Sequence, residues 1–367
     1  MVSFTTRQFK SILNKKKSID PWFWDRFTIN PYQGCQYGCI YCNARSEQYH
    51  LPIDFENDII IKENAEQLLH KRLSNARTLL PDVVALSGVT DPYQPIESRY
   101  HQTRKLLKVL ASHSYPVHII TKSPLVLHDL DILEEIASKS WCTVSVSLSS
   151  VDDEMLKILD KKSPPAKARL ELVKNIKHKS TKVQAGFLMM PVIHEMTDSI
   201  SSLHQYFSSV AECNADYVVF AGLSMTGGQI EWFMKSLAEK NSMLKERVMK
   251  NYRGQQKVFQ APSQKVAQLN RTLRRLCEEY SMPYRISRWH PPGYRNLNYR
   301  LAEWLFNQGY EKQIMGLSYK EEMQAGFYIQ ELKESVSSVI SEKRFDKKAM
   351  TANLLQNIEA YIRGQPN

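Results

Sequence analysis

The stretch Asn30-Pro31-Tyr32-Gln33-Gly34-Cys35-Gln36-Tyr37-Gly38-Cys39-Ile40-Tyr41-Cys42-Asn43-Ala44-Arg45 gathers three of the chain's six cysteines into a C-x-x-x-C-x-x-C run. Thiolate is the ligand that iron–sulfur chemistry selects, and Gly34 and Gly38 let a short backbone wrap closely around an inorganic centre. Three ligands are one short of a closed site, because structural zinc and all-cysteine clusters take four. The deficit leaves one metal position open to a small molecule. A zinc reading needs a fourth ligand from elsewhere, and His50 is the candidate.

Outward from the loop, residues 26–29 form a short β-prone run leading into it, so the cysteines sit at the C-terminal end of a strand, where α/β barrels keep their chemistry. Residues 59–61 give an extended piece, and Ala65, Leu68, Leu69 and Leu73 recur at helical spacing. Apolar runs at 83–88, 117–121, 142–148, 183–190 and 217–222 suit strands buried on both faces. Helical patterns separate them, one carrying Leu106, Leu107, Val109 and Leu110, others at 124–138, 152–161, 166–178 and 197–211. Alternation of this kind implies a parallel sheet. About six βα units result, fewer than a full barrel needs, and periodicity alone leaves a doubly wound open sheet as an equal rival. After residue 222 the pattern changes to a turn, a helix over 230–249, a helix carrying Leu269, Leu273 and Leu276, a strand-like piece at 284–289, and helices at 301–306 and 350–362.

The 367 residues are 43% hydrophobic and 24% charged, with no apolar run long enough to span a bilayer and no leader-like start, so a soluble cytoplasmic protein without membrane contact is expected. Six cysteines are too few for a disulfide-dense secreted scaffold. The net charge of +11 favours a polyanionic partner, nucleic acid first. Arg285, Arg288, Trp289, Tyr294, Arg295 and Arg300 suit backbone contacts and base stacking. Lys15, Lys16 and Lys17 are expected on a solvated arm, with Trp22 and Trp24 packed against the barrel.

The cysteine spacing, with Tyr41 just before the last cysteine, resembles the defining motif of the radical S-adenosylmethionine (SAM) superfamily. Asn-Pro-Tyr-x-Gly-Cys before the motif and Ala44-Arg45 after it resemble the spore photoproduct lyase-like branch, the "DNA repair photolyase"-type proteins. The resemblance implies an α/β fold: a partial (β/α)6 barrel over residues 26–222, after an N-terminal arm (1–25), with a mainly helical C-terminal extension (223–367) covering its open side. It also implies a [4Fe–4S] cluster on Cys35, Cys39 and Cys42, with SAM on the open iron. A one-electron donor such as flavodoxin or ferredoxin would reduce the cluster, and cleavage of SAM would give a 5′-deoxyadenosyl radical that abstracts hydrogen from substrate. Nucleic acid, DNA or RNA, is the expected substrate class. The rivals are radical modification of a peptide or metabolite, and a non-catalytic iron–sulfur or zinc nucleic-acid-binding protein.

Cofactor contacts are expected at strand ends. Ser87, Gly88, Thr90 and Asp91 follow a buried strand, where hydroxyls and a carboxylate meet an amine or ribose. Lys122 matches the lysine that contacts SAM's carboxylate in the lyase, and Ser145 and Ser147, on one face by alternation, match a serine facing the ribose. Tyr41 joins this set through the motif, and Arg169, after Pro164-Pro165, falls where related sequences carry an arginine, with a surface salt bridge as the equal alternative to a cofactor role. Asp91 and Tyr93 are the catalytic candidates, and Glu97 is expected to cap a helix. The lyase's extra hydrogen-donating cysteine would fall within 87–91, but no cysteine lies between Cys42 and Cys142 and Gly88 falls near that position. Lyase chemistry on a thymine dimer is therefore not expected, and Tyr93 is the substitute hydrogen relay.

Overall fold

The computed structural model describes residues 2–46, 49, 54–75, 79–254 and 258–364. They form two compact units, one of the residues before Lys16 with Phe27–Ile286, the other of Lys16–Arg26 with the chain from Ser287 onward.

In the first unit the strands are β1 (Ser3–Arg7), β2 (Asn14–Lys15), β3 (Phe27–Ile29), β4 (Tyr32–Gln33), β5 (Asp58–Lys62), β6 (Val84–Leu86), β7 (Val117–Thr121), β8 (Cys142–Ser147), β9 (Gln184–Val192), β10 (Val218–Gly222), β11 (Ser224–Met225) and β12 (Phe259–Gln260). The main sheet has the order β10-β9-β8-β7-β6-β3-β2. From β3 to β10 every pairing is parallel and strand order follows sequence order, as one-way βα winding requires. The intervening helices are α1 (Ala65–Ser74), α2 (Glu97–Tyr100), α3 (Gln102–Ser112), α4 (Leu130–Lys139), α5 (Asp153–Leu159), α6 (Ala166–Lys179) and α7 (Ile200–Ala211). All six residues of β8 are buried, the signature of a parallel strand covered on both faces. The partial (β/α)6 barrel is the observed architecture.

Several local expectations are corrected. Residues 59–61 do form a strand, but β5 joins a separate sheet, pairing in parallel with β1 (Ser3↔Asp58) and antiparallel with β4 (Tyr32↔Ile61). The chain start is therefore no loose arm. β1 extends the side sheet, and β2 pairs antiparallel with β3 (Asn14↔Thr28), covering an otherwise unpaired edge. The boundary near 222 falls inside the first unit, which also contains β11, β12, α8 (Gly228–Lys240), α9 (Ser242–Met249) and α10 (Ser263–Glu279). The single helix over 230–249 is two, because the side chain of Asn241 accepts a hydrogen bond from Leu244 N and starts a new helix. Residues 284–289 are not a strand.

The second unit is built on α11 (Arg295–Ile314), α12 (Lys320–Gln330), α13 (Val336–Ser341) and α14 (Ala352–Arg363), around Leu301, Leu305, Ala325, Ile329, Val336 and Leu354. Trp22 and Trp24 pack here on α11, their ring centroids 5.0 Å from Tyr310 and 6.1 Å from Phe306. Arg288 and Trp289 are buried. The Arg288 guanidinium lies over Trp24 (4.9 Å) and Tyr299 (4.2 Å) and donates to Gln330 Oε1 (2.9 Å), so it holds this unit together rather than contacting a nucleic-acid backbone. No helix among the described residues is long and apolar enough to cross a membrane.

Glu97 caps as expected. Its buried carboxylate accepts from Thr103 N (2.9 Å) and Arg104 N (3.4 Å) in the first turn of α3, and from the Tyr32 hydroxyl. Burial pushes its carboxyl up to about 7 although these donors pull it down. A carboxyl raised in the fold binds its proton more tightly folded than unfolded, so its stabilisation is complete below about 4.5 and lost as pH rises through about 7. A melting series should show the parent losing roughly 3 kcal/mol over that window relative to Glu97→Gln, whose profile is flatter. Parallel profiles would refute the assignment.

Candidate active site

The cysteine loop leaves β3 and is wrapped tightly against residues 54–58. Gly34 and Gly38 adopt φ of +82° and +60°; an added Cβ on Gly34 would meet the backbone Asp58 O at 2.6 Å, so that position demands glycine, while one on Gly38 would meet the Glu56 carboxyl carbon at 2.8 Å and displace that side chain. Cys35 N donates to Phe55 O (2.9 Å) and Ile40 N to Leu159 O (2.9 Å). The loop after β6 grips it from the other side. Thr90 Oγ1 donates to Gly34 O (2.6 Å), Gln94 Nε2 to Gly34 O (3.2 Å), Gln36 N to Gln94 Oε1 (2.9 Å) and Ile96 N to Gln36 Oε1 (2.8 Å).

Cys35, Cys39 and Cys42 line one open cavity. The ends of β6, β7 and β8 face them with Ser87, Gly88, Thr90, Asp91, Lys122 and Ser147. Ser87 (φ 130°) and Gly88 (φ 146°) form an unusual turn, pinned by Ser87 Oγ donating to Thr90 O (2.9 Å); a Cβ on Gly88 would meet only Asn30 Oδ1, at 3.8 Å. Lys122 Nζ donates to Ser147 Oγ (3.0 Å) and lies 5.7 Å from the Tyr41 ring centroid. Burial opposes its charge, but Cys39, Tyr41 and Asp160 beside it carry the ammonium well above the usual lysine range.

Other expected site residues are placed differently. Tyr41 lies outside the cavity lining, behind Lys122, with its buried hydroxyl unpartnered. Ser145 lies one pleat deeper than Ser147, hydrogen-bonded to His118 Nε2 (2.7 Å) and the Tyr217 hydroxyl (2.7 Å). Alternation gave the two serines one face but not their depth. Arg169 is no surface residue. Fully buried, it pairs with Asp160 Oδ2 (2.8 Å) and donates to Pro164 O (2.8 Å) and Ser147 O (3.0 Å), bracing the end of β8. Asp91 lines the cavity, yet Oδ1 accepts from Thr121 Oγ1 (2.7 Å) and Tyr93 N (2.8 Å) and Oδ2 from Lys122 N (2.8 Å). Both oxygens accept from the chain, so Asp91 joins the β6 and β7 ends.

Tyr93 is 1% exposed and outside the cavity lining, and its hydroxyl donates to Asp129 Oδ2 (2.9 Å). A hydroxyl aimed at Asp129 is badly placed for a hydrogen relay. Tyr93→Phe is expected to cost about 1 kcal/mol in a urea titration; an unchanged midpoint would show that the bond to Asp129 adds nothing to stability. Sequence reasoning missed Tyr37 and Thr121, which also line the cavity. Their only signal was adjacency, Tyr37 within the cysteine run and Thr121 beside Lys122.

Residues 29–205 match the family model of the radical SAM superfamily. The chain belongs to the radical SAM superfamily. This radical SAM chain is 32% identical over 232 residues to an uncharacterized protein of Mycobacterium tuberculosis, spanning 62% of this chain and 67% of that one. It is 28% identical over 174 residues to an uncharacterized protein of Methanocaldococcus jannaschii, spanning 47% and 62%. Among solved structures, spore photoproduct lyase complexed with dinucleoside spore photoproduct has the same fold, with TM-score 0.58 at 14% identity over 76% of this chain and 79% of that one. Radical SAM enzymes work with an iron–sulfur cluster and SAM.

The donor set fits such a cluster. Among the described residues no three His, Cys, Asp or Glu side chains could hold one metal ion together, although three cysteines border one cavity. Three thiolates bordering one cavity suit a cluster in which each takes a separate iron. His50, the candidate zinc ligand, lies outside the described residues. Burial pushes all three thiols up, Cys39 to about 12, so iron is what would stabilise three thiolates here.

Proposed function

We propose that this radical SAM enzyme holds a [4Fe–4S] cluster on Cys35, Cys39 and Cys42, cleaves SAM reductively and abstracts hydrogen from a nucleic-acid substrate. One observation carries the first part: three cysteines from one loop share a cavity with Lys122 and Ser147 from the ends of neighbouring strands. When bound, the cluster and SAM supply a one-electron cleavage of the S–C5′ bond and a 5′-deoxyadenosyl radical.

The chain's own residues bind and orient. Lys122, fixed by Ser147 and backed by Tyr41, offers Nζ protons to a carboxylate. Ser147 offers its hydroxyl to a ribose, and the Ser87–Gly88 turn lets a ligand approach the backbone closely. Arg169 and Asp91 hold these strand ends in place. Cys35 and Cys39 are nearly shielded from water, at 8% and 7% exposure, and would shield a cluster held there.

The net charge of +11 and the fold shared with a dinucleoside-binding lyase support the substrate class. Besides the three ligands no cysteine lines the cavity, so the returning hydrogen would come from a different donor than the lyase's cysteine. Anaerobic reconstitution with iron and sulfide, then SAM and a one-electron reductant, should yield 5′-deoxyadenosine; an intact cluster that never does so refutes the cleavage reading. Affinity for DNA and RNA should fall steeply with salt. Salt-insensitive or absent binding points instead to a peptide or metabolite.

A further inference from the structure

The cysteine loop is gripped from a helix beyond the residues that match the family model. Gln229, in the first turn of α8, is 2% exposed; its Oε1 accepts from Thr226 N (3.0 Å) and its Nε2 donates to Cys42 O (3.0 Å). The same carbonyl accepts from Arg45 N (3.2 Å). One turn further along α8, the Trp232 ring centroid lies 4.1 Å from the Arg45 guanidinium carbon, and Phe55 lies 5.1 Å away. The guanidinium, 9% exposed, pairs with the Glu56 carboxylate, and its Nε donates to Cys39 O (3.4 Å). Arg45 thus binds the carbonyls of two cysteines while its planar head is clamped by an aromatic residue nearly 190 positions away.

We propose that α8 is a positioning element for the cluster, fixing Cys42 through Gln229 and the Cys39–Cys42 turn through Arg45 held on Trp232. This rests on reading the three cysteines as cluster ligands. Cys35 is tied to Phe55 O and the residue after Cys39 to Leu159 O. Cys42, more exposed than either, depends on α8 for a second bond to its carbonyl. Partners one shell out from a metal ligand commonly change its retention ten- to a hundredfold.

Two readouts test this anaerobically on the full chain, neither of them turnover. In reconstituted protein, iron loss to a chelator, followed by bleaching of the visible absorption, should be about tenfold faster in Gln229→Ala and Trp232→Ala. Trp232→Phe keeps the aromatic face and removes an indole N–H that has no partner, so it should stay within about twofold of the parent. In the iron-free protein, iodoacetamide labelling of Cys42 relative to Cys35, read by peptide mass spectrometry, should rise about tenfold in Trp232→Ala and be restored in Trp232→Phe. If Trp232→Ala does not fold, Gln229→Ala and Arg45→Lys carry the same comparison. Parental iron lifetime and parental Cys42 labelling in the alanine variants overturn the proposal. A parent that takes up no iron and sulfide overturns the cluster reading instead, and the labelling comparison still decides the role of α8.

Discussion

Alanine at Cys35, Cys39 or Cys42 is expected to reduce bound iron and 5′-deoxyadenosine formation to background while leaving the fold in place. Burial raises each thiol, so the iron-free chain carries three small neutral groups. Removing one costs about 1 kcal/mol, far too little to unfold the chain. With the cluster it is one of three ligands, and its loss opens a second metal position. Circular dichroism and urea midpoints should therefore match the parent where iron analysis does not. Alanine at Cys142, Cys213 or Cys277, outside the cavity, serves as the control and should keep iron. Parental iron content in Cys39→Ala would remove the basis of the proposed function.

Asp91→Ala is expected to be the most damaging single change among the polar residues around the cavity. Three donors converge on its carboxylate, and its 8% exposure gives water little chance to replace it. Each buried donor left unmet costs about 1–3 kcal/mol, so a loss of roughly 3–5 kcal/mol is expected in a urea titration. Asp91→Asn keeps the shape but turns an amide N–H₂ toward a donor, and should lose a smaller amount. Because Lys122 N is one of the three donors, calorimetry on loaded protein should show weaker SAM binding in Asp91→Asn. A loss below about 1 kcal/mol in the alanine variant would show that Asp91 does not join the two strand ends.

Local signals in the sequence carried much of this. The cysteine spacing and glycines placed the loop, the apolar runs placed six parallel strands in order, and strand-end position picked out Lys122 and Ser147. What was not legible depends on partners distant in the chain. Periodicity marks residues 59–61 as extended but cannot say that β1 and β4 flank them. Alternation puts Ser145 and Ser147 on one face without telling which is deep in the sheet. A polar, charged pattern on α8 gives no hint that Gln229 reaches Cys42, a contact 187 residues apart. The Trp22–Trp24 segment reads like a barrel contact, but its neighbours Tyr310 and Phe306 come from the far end of the chain.

The hydrogen bonds that Thr90, Gln94 and Gln36 make around Gly34 all run between protein atoms. None of them needs iron. These bonds tie the loop to the end of β6 independently of the metal, so they offset part of its ordering entropy on their own. Damage by oxygen would then empty the pocket without dismantling it. For an enzyme whose cofactor is easily destroyed, such a frame allows the same polypeptide to be refilled and used again.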